Sequence, residues 1–263
     1  MRRFIIRRFI FSLVSIVVAT MAVFLLSRAA GDPLLLYATS GYGLTPESEA
    51  ALRKRLALDR AVPVQYALWL GRTLKGDMGE TIRDRKPVSR VVTQRLPSTL
   101  HLGATAFILS FLVGIPLGVL SAVKRGSIWD YLGRFVALLG QAVPQFWLGL
   151  VLIMVFAVKW QLFPAGLKGD GFLDVKHLVL PTITLASGGF AFYMRITRTA
   201  MLEVLDSEYV RLARAKGVGN NKVIWKHAFK NALIQPLTGM TLGLTFFLTG
   251  SVLVEQIFAW PGM

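Results

Sequence analysis

Few residues of this sequence have the types and spacing that covalent chemistry or metal binding requires. The histidines His101, His177 and His227 are scattered, and none has a histidine or carboxylate partner four residues away. His177 lies near Asp174, which allows a transient metal contact but is more typical of an ordinary interfacial residue. The sequence has no cysteine, so disulfide frameworks and thiolate chemistry are excluded. We predict no catalytic residue and no metal site.

A phosphate-binding loop is also missing from the sequence. The nearest approach to the pattern G-x4-G-K-[ST] is the stretch 217–222, whose spacing is wrong. A chain without this loop cannot hydrolyse ATP alone, because no backbone amides are arranged to hold the phosphates. Any ATP-driven role therefore needs a separate ATPase polypeptide.

Two groups of polar residues lie within apolar stretches. Gln141 and Gln145 are four residues apart, so one continuous helix would place both amides on the same face. Thr241, Thr245 and Thr249 repeat that spacing and would form a stripe of hydroxyls. Polar groups at membrane depth either line a wet path or bond to neighbouring helices. Both interpretations stay open for these five residues.

The stretch 206–231 has the pattern of two short helices joined by a turn. Asp206 or Ser207 can cap the first helix, and Gly217 is placed to end it in a left-handed conformation. Asn220 or its neighbour can begin the second helix. A rigid elbow of this kind can transmit force between a soluble partner and a membrane bundle.

The apolar runs that must position these residues are long enough to cross a membrane. The 263 residues are 54% hydrophobic and 17% charged, with a mean hydropathy of +0.56. A spanning helix needs about 20 mostly apolar residues. We therefore predict an all-α integral membrane protein, a polytopic helical bundle in which five spans are visible. The predicted spans are 9–26, 100–123, 135–158, 178–194 and 237–254.

The distribution of basic residues predicts how the spans are oriented. Lys and Arg concentrate at the N-terminus and in the loops 124–134 and 195–233, so these segments are expected in the cytoplasm and 27–95 and 159–177 on the other side of the membrane. The segment 27–95 is also basic, but long loops translocate largely regardless of charge. The net charge of +16 fits a membrane surface better than nucleic acid.

Two further features concern how the spans begin and pack. The N-terminal arginines and the first apolar run resemble a secretory signal, but the run is longer than a signal requires, so we predict an uncleaved first span. Gly114 and Gly118 fit the small-xxx-small pattern of closely packed helices.

The stretch 206–231 resembles the EAA loop of permeases of binding-protein-dependent ABC importers. Residues 209–217 and 227–232 are similar to Y-V-R-x-A-R-A-x-G and H-A-x-x-N-A, the version found in the dipeptide/oligopeptide/nickel branch. Arg211 stands where the general EAA pattern has Glu, which leaves the charge contacts of the loop open. The segments 56–60, 66–70, 76–79 and 255–262 also resemble that branch, so the resemblance covers essentially the whole chain.

The resemblance implies a fold, a function and partners. The fold would be a type I ABC importer transmembrane domain with six spans, made of an N-terminal region 1–95 and a permease domain 96–263 that ends about where the sixth span begins, as in a truncated copy. The chain would translocate di- or oligopeptides with a second related permease, two ATPase subunits that hold ATP and Mg, and a periplasmic solute-binding protein. The residues to which it assigns ATPase coupling are Glu208, Tyr209, Arg211, Ala213, Gly217, His227 and Asn231.

Other functions are compatible with the same pattern. Nickel, glutathione or an opine-like solute would need the same architecture. A membrane scaffold would bind no ATPase, and an intramembrane enzyme would need paired catalytic residues at membrane depth. For the basic loop itself, the alternative to ATPase docking is a solvated face that binds anionic membrane lipid.

Overall fold

The computed structural model describes residues 1–31, 34, 46–82, 84–169, 171 and 174–263. These residues form helices and loops, with an isolated antiparallel bridge between Glu80 and Pro87 and no strand among them. The prediction of an all-α fold is therefore confirmed for this part of the chain. Two compact units are present, Met1–Thr93 and Gln94–Met263.

Three helices lie entirely within the described residues of the first unit. Helix α1 spans Arg2–Ala29, α2 spans Pro46–Arg55 and α3 spans Val62–Leu74. The most apolar window of α1 has none of its residues buried inside the protein (0%), as expected for a helix whose surroundings are lipid. Near its end, the ring of Phe24 packs edge-on against Tyr66 of α3 at 5.6 Å.

The remaining helices carry the residues discussed below. They are α4 (Val88–Val123), α5 (Ile128–Ala142), α6 (Gln145–Lys159, π-helical from Ile153), α7 (Val175–Leu205), α8 (Glu208–Ala215), α9 (220–232, π-helical over Val223–Phe229) and α10 (Ile234–Ile257).

Four helices of the described chain are each long and apolar enough to cross a membrane, namely α1, α4, α7 and α10. They contain the predicted spans 9–26, 100–123, 178–194 and 237–254. The predicted span 135–158 is different, because it is divided between α5 and α6, which meet at 104°. Among the described residues there are therefore four candidate spans, or five if the bent pair counts as one.

The break between α5 and α6 has a local cause. Proline lacks an N–H group and disfavours the helical conformation of the residue before it. Val143 accordingly has extended backbone angles (φ −82°, ψ 122°), and so does Pro144 (φ −61°, ψ 135°). The expectation that Gln141 and Gln145 share one face of one helix is therefore wrong, since the two residues belong to different helices.

Helix α7 is the centre of the second unit. At its beginning and middle, Leu180, Leu185 and Tyr193 join a buried apolar cluster with residues of α4 and α10, such as Leu102 and Phe247. A second cluster surrounds the other end of α7. Its buried members are Ile115, Val119, Ala122, Ala200, Met201, Leu205, Ile224, Ala228 and Ala232.

Helices α4 and α7 approach each other closely through glycine. A Cβ atom added at Gly114 would lie 2.8 Å from the carbonyl oxygen of Phe190, and one added at Gly118 would lie 2.6 Å from that of Met194. Only a residue without a side chain permits this separation. The close packing expected from the small-xxx-small pattern is confirmed at both glycines.

Candidate functional site

The predicted elbow at 206–231 is present as the helix pair α8 and α9. Helix α8 begins after Ser207, whose extended backbone (φ −73°, ψ 151°) is that of an N-cap residue. Its side chain makes no capping bond and instead donates to the carbonyl of Val204 at 2.5 Å. Helix α9 follows the turn and packs against α8. Two short helices joined by a glycine turn are thus confirmed.

Gly217 forms the turn between the two helices. It has φ +75°, a left-handed conformation that favours glycine. The N–H of Gly217 donates to the carbonyl of Arg214 at 2.9 Å, and the N–H of Val218 donates to that of Ala213 at 3.2 Å. These two bonds make a Schellman motif, which satisfies carbonyls at the end of the helix and fixes the direction in which the chain leaves it.

The two faces of α8 have opposite character. Val210 and Ala213 are buried, with 0% and 8% of their surface exposed. Leu212 is 55% exposed, and the side chains of Glu208 and Arg211 form a solvent-exposed ion pair at 3.4 Å. An exposed leucine between charged groups offers a partner both apolar contact and charge. Ala213, one of the predicted coupling residues, lies instead on the face that holds α8 in place.

A small hydrogen-bonded group, which we call the Tyr209 brace, ties α8 to α9. Asn231 Nδ2 donates to the hydroxyl of Tyr209 at 2.9 Å and to the carbonyl of His227 at 3.2 Å. The same carbonyl accepts from the Tyr209 hydroxyl at 3.4 Å. The structure therefore brings together three predicted coupling residues from both helices, although the sequence pattern did not indicate that they contact one another.

A second polar group, the Asp130 junction, joins α4, α5 and α7. The Asp130 carboxylate accepts from Arg198 Nε at 2.8 Å and Nη2 at 3.1 Å, from Ser121 Oγ at 2.6 Å and from the Gly126 N–H at 3.1 Å. Only 2% of the Asp130 side chain and 21% of Arg198 are exposed. Both carboxylate oxygens are thus used by donors, as a buried charge requires.

The Asp130 junction was not predicted from the sequence. Its one sequence signal is that Asp130 is the only acidic residue in the basic stretch 124–134. The junction reaches α7 through Arg198, which lies two turns before Asp206, where α7 passes into α8. An exposed contact between Arg125 and Asp206, at 3.6 Å, lies beside this passage.

The residues predicted to line a path lie at two separate places. The Gln141 side chain accepts from Arg195 at 3.0 Å, whereas Gln145 Nε2 lies 3.5 Å from the carbonyl of Leu185, the limit of a hydrogen bond. Both glutamines therefore contact α7, Gln141 from the end of α5 and Gln145 from the start of α6. The three threonines, Thr241, Thr245 and Thr249, lie exposed along α10.

The histidines do not form a metal site in the described chain. His177 Nδ1 lies 2.9 Å from a carboxylate oxygen of Asp174, and this hydrogen bond lowers the pKa of the Asp174 carboxyl. His227 belongs to the Tyr209 brace through its backbone, and the ring of His101 lies 6.3 Å from that of Trp260. No group of three or more His, Cys, Asp or Glu residues that could hold a metal is found in the described residues.

Comparison with known proteins gives consistent matches. Residues 114–263 match the family described as binding-protein-dependent transport system inner membrane component, and residues 1–103 match its N-terminal family. The oligopeptide transport system permease protein AppB of Bacillus subtilis is 40% identical over 275 residues, which cover 100% of this chain and 85% of AppB. The dipeptide transport system permease protein DppB of Escherichia coli K12 is 39% identical over 260 residues, 89% of this chain and 76% of DppB.

A third relative agrees with these two. A putative peptide permease protein of Brucella suis biovar 1 is 36% identical over 273 residues, covering 100% of this chain and 85% of the relative. The matches extend over both units, and the family match includes α5 to α10 with the elbow and the Asp130 junction. This chain belongs to the family of binding-protein-dependent transport system inner membrane components.

Proposed function

We propose that this chain is a permease subunit of an ATP-binding-cassette importer that carries di- or oligopeptides across the bacterial inner membrane. Its apolar helices and its family support a multi-pass inner-membrane protein. In the orientation we propose, the N-terminus and the elbow α8–α9 lie in the cytoplasm, as the basic loops around them favour.

The observation that carries the proposal is the architecture of the elbow. Helix α8 buries one face and presents the other, with Glu208, Arg211 and Leu212, to the surroundings. The Gly217 turn and the Tyr209 brace hold it at a fixed angle to α9. A short helix that is braced internally but exposed on one face is suited to dock in a groove of a separate ATPase subunit.

The connections of the elbow give the docked ATPase a path to the spans. At one end α8 continues into α7, which is fastened to α4 and α5 by the Asp130 junction. At the other end α9 leads into α10 through a single turn residue, Leu233. Closure of the ATPase dimer would move α8, and both α7 and α10 would follow, because packed helices move as units.

The proposed transporter requires further subunits. ATP and Mg would be held by two ATPase subunits, a second related permease would form the other half of the path, and a solute-binding protein would deliver the cargo from outside. Gln141, Gln145 and the threonine stripe of α10 are proposed to line that path. Their support is that the threonines are exposed in this chain and that Gln141 and Gln145 flank a break in a span.

Peptide is the cargo best supported by the relatives. AppB, DppB and the Brucella protein are all named for oligopeptide, dipeptide or peptide transport. None of these three names mentions nickel, glutathione or an opine, so those cargoes have no comparable support. A scaffold role is disfavoured by the same names, since each describes a permease.

Docking can be tested by copurification of the ATPase with the permease. Leu212→Glu places a second carboxylate in the centre of the exposed face of α8 and should abolish copurification. Leu162→Glu is the matched control, because Leu162 is equally exposed (58% against 55%) but lies in the proposed outer loop. If Leu212→Glu retains the ATPase as fully as Leu162→Glu does, the docking assignment is wrong.

Cargo can be tested by uptake in cells that carry the complete transporter. A labelled dipeptide should accumulate, and the accumulation should be lost in the Leu212→Glu variant. Labelled nickel should not accumulate above the level of cells without the transporter. Accumulation of nickel without peptide uptake would leave the ABC permease assignment in place and replace the cargo.

A further inference from the structure

Helix α9 has three sides with different surroundings. One side carries the Tyr209 brace and faces α8. A second side is buried in an apolar cluster with α4 and α7, to which Ile224, Ala228 and Ala232 contribute. The third side is exposed and remains without an assigned partner.

The apolar cluster fixes the height of α9 along the bundle. Its members from α4 include Val119 and Ala122, which lie in the last turns of a candidate span that ends at Val123. The span is followed at once by Lys124 and Arg125, which mark the membrane boundary. Helix α9 therefore lies level with the end of a span rather than beyond it in bulk solvent.

The exposed side of α9 is basic and aromatic. Lys222, Lys226 and Lys230 repeat every four residues, and Trp225 beside them is 56% exposed. The Trp225 ring packs edge-on against that of Phe229 at 5.3 Å, so both rings lie on one side. The stretch 220–232 contains no acidic residue, and no carboxylate in the described chain lies within salt-bridge distance of the three lysines.

We propose that this side of α9, formed by Lys222, Trp225, Lys226 and Lys230, binds the headgroups of anionic phospholipids in the cytoplasmic leaflet. The inference rests on the orientation in the proposed function. Tryptophan favours the headgroup level, where its ring is half apolar and its N–H stays wet. Lysine extends its apolar stem along the surface and holds its ammonium among lipid phosphates.

Charge and position favour lipid over the ATPase as the occupant of this surface. The face of α8 is mixed in charge, with Glu208 beside Arg211, as a protein groove would require for pairing in both directions. The exposed side of α9 has one sign of charge only, at the level of a membrane boundary. The two interpretations of the basic loop thus apply to different helices: α8 docks to protein and α9 to lipid.

The absence of cysteine from the chain allows a direct test. Trp225→Cys, labelled with a bimane fluorophore, is assembled with cysteine-free partner subunits and reconstituted in phosphatidylcholine vesicles with one-tenth phosphatidylglycerol. A nitroxide quencher is attached to either lipid at the same mole fraction. Quenching by labelled phosphatidylglycerol should exceed that by labelled phosphatidylcholine by about twofold or more, since the lysines enrich anionic lipid locally.

Two variants control the measurement. A bimane at Leu112→Cys, which is 66% exposed in the middle of α4 and away from the lysines, should show no preference between the two lipids. In the Trp225→Cys background, replacement of Lys222, Lys226 and Lys230 by Gln should remove the preference while the ATPase still copurifies. Equal quenching by both lipids at position 225, or a preference that survives the three replacements, would overturn the proposal. The proposal would also be overturned if a protein subunit covered the bimane at position 225, so that neither labelled lipid quenched it.

The result of the lipid-quenching measurement at position 225 is independent of the docking test. Loss of ATPase copurification from the unsubstituted permease would refute the proposed function and leave the lipid preference of α9 to be measured. A permease that binds the ATPase but has no lipid preference at position 225 would refute only the present inference.

Discussion

The Asp130 junction and the Tyr209 brace both tie helices together, but by different physical means. The junction pairs a carboxylate that is almost fully buried with an arginine, and three helices contribute to it. The brace is neutral and partly exposed, with Tyr209 44% accessible, and it joins two short helices. Breaking a buried ion pair costs about 3–5 kcal/mol, whereas a neutral hydrogen bond contributes about 0.5–1.5 kcal/mol.

This difference separates a strongly held part of the molecule from a weakly held part. The junction holds α4, α5 and α7 together through a buried, hydrogen-bonded charge. The brace is weaker, and in the proposed function it sets the angle of α8 to α9, so its loss should affect how α8 moves with the ATPase rather than whether the protein folds. Variants in the junction should therefore lose stability, and variants in the elbow should lose coupling while remaining folded.

The largest effect is expected for Asp130→Asn. The substitution leaves Arg198 as a buried charge without its counter-ion, so we expect a loss of about 3–5 kcal/mol, on the order of 10 °C in Tm. Thermal unfolding of the purified complex in detergent measures it. Asp206→Asn removes the carboxylate of a pair whose side chains are 66% and 67% exposed, and should change stability by less than about 1 kcal/mol. Equal Tm values for the two variants would contradict the comparison.

A smaller loss of stability is expected for Gly118→Ala. Its Cβ would lie 2.6 Å from a backbone oxygen of α7, so the two helices must separate at a cost of about 1–3 kcal/mol. Gly103→Ala on the same helix is the control, because its Cβ would meet its nearest neighbour at an ordinary 3.5 Å. Alanine is a better helix former than glycine by about 1 kcal/mol, so Gly103→Ala should be neutral or stabilising. A Tm for Gly118→Ala that is no lower than that for Gly103→Ala would show that the close approach does not limit stability.

In the elbow, Gly217→Ala should weaken docking rather than unfold the protein. An L-residue in the left-handed conformation costs about 1–2 kcal/mol, which reduces the affinity of the ATPase for the permease by roughly tenfold if the turn relaxes in the free protein. Gly219→Ala is the control, since Gly219 has φ −57°, which any residue adopts. A titration of the ATPase against reconstituted permease measures the affinity. An unchanged affinity for Gly217→Ala would show that the turn does not set the docking angle.

The smallest energetic effect is expected for Tyr209→Phe, which removes the hydroxyl of the brace. We expect a cost of about 0.5–1.5 kcal/mol, confined to the elbow and without loss of Tm, but a lower ratio of transported peptide to hydrolysed ATP. Tyr131→Phe, on an exposed tyrosine of α5, should leave the ratio unchanged. If Tyr209→Phe lowers Tm as much as Asp130→Asn does, the proposed difference between the Tyr209 brace and the Asp130 junction is wrong.

Much of the fold could be predicted because each membrane helix corresponds to one contiguous apolar stretch of the sequence. An apolar run of about 20 residues predicts a span, since unsatisfied backbone groups are too costly in lipid. The Gly217 turn was predictable for a similar reason, because a glycine shortly before two asparagines is a local signal. The break at Pro144 was not predicted, although its cause is local, because a proline within an apolar run is compatible with a kinked helix as well as with a broken one.

The sequence by itself determined the positions of four spans and of the elbow, and the similarity of its motifs determined the family. The tertiary structure decided which side chains meet. Asp130 and Arg198 are separated by 68 residues, and Tyr209 and Asn231 by 22. No local pattern encodes such pairs, because they form only when the packing of α5 against α7 and of α8 against α9 brings distant residues within hydrogen-bond distance.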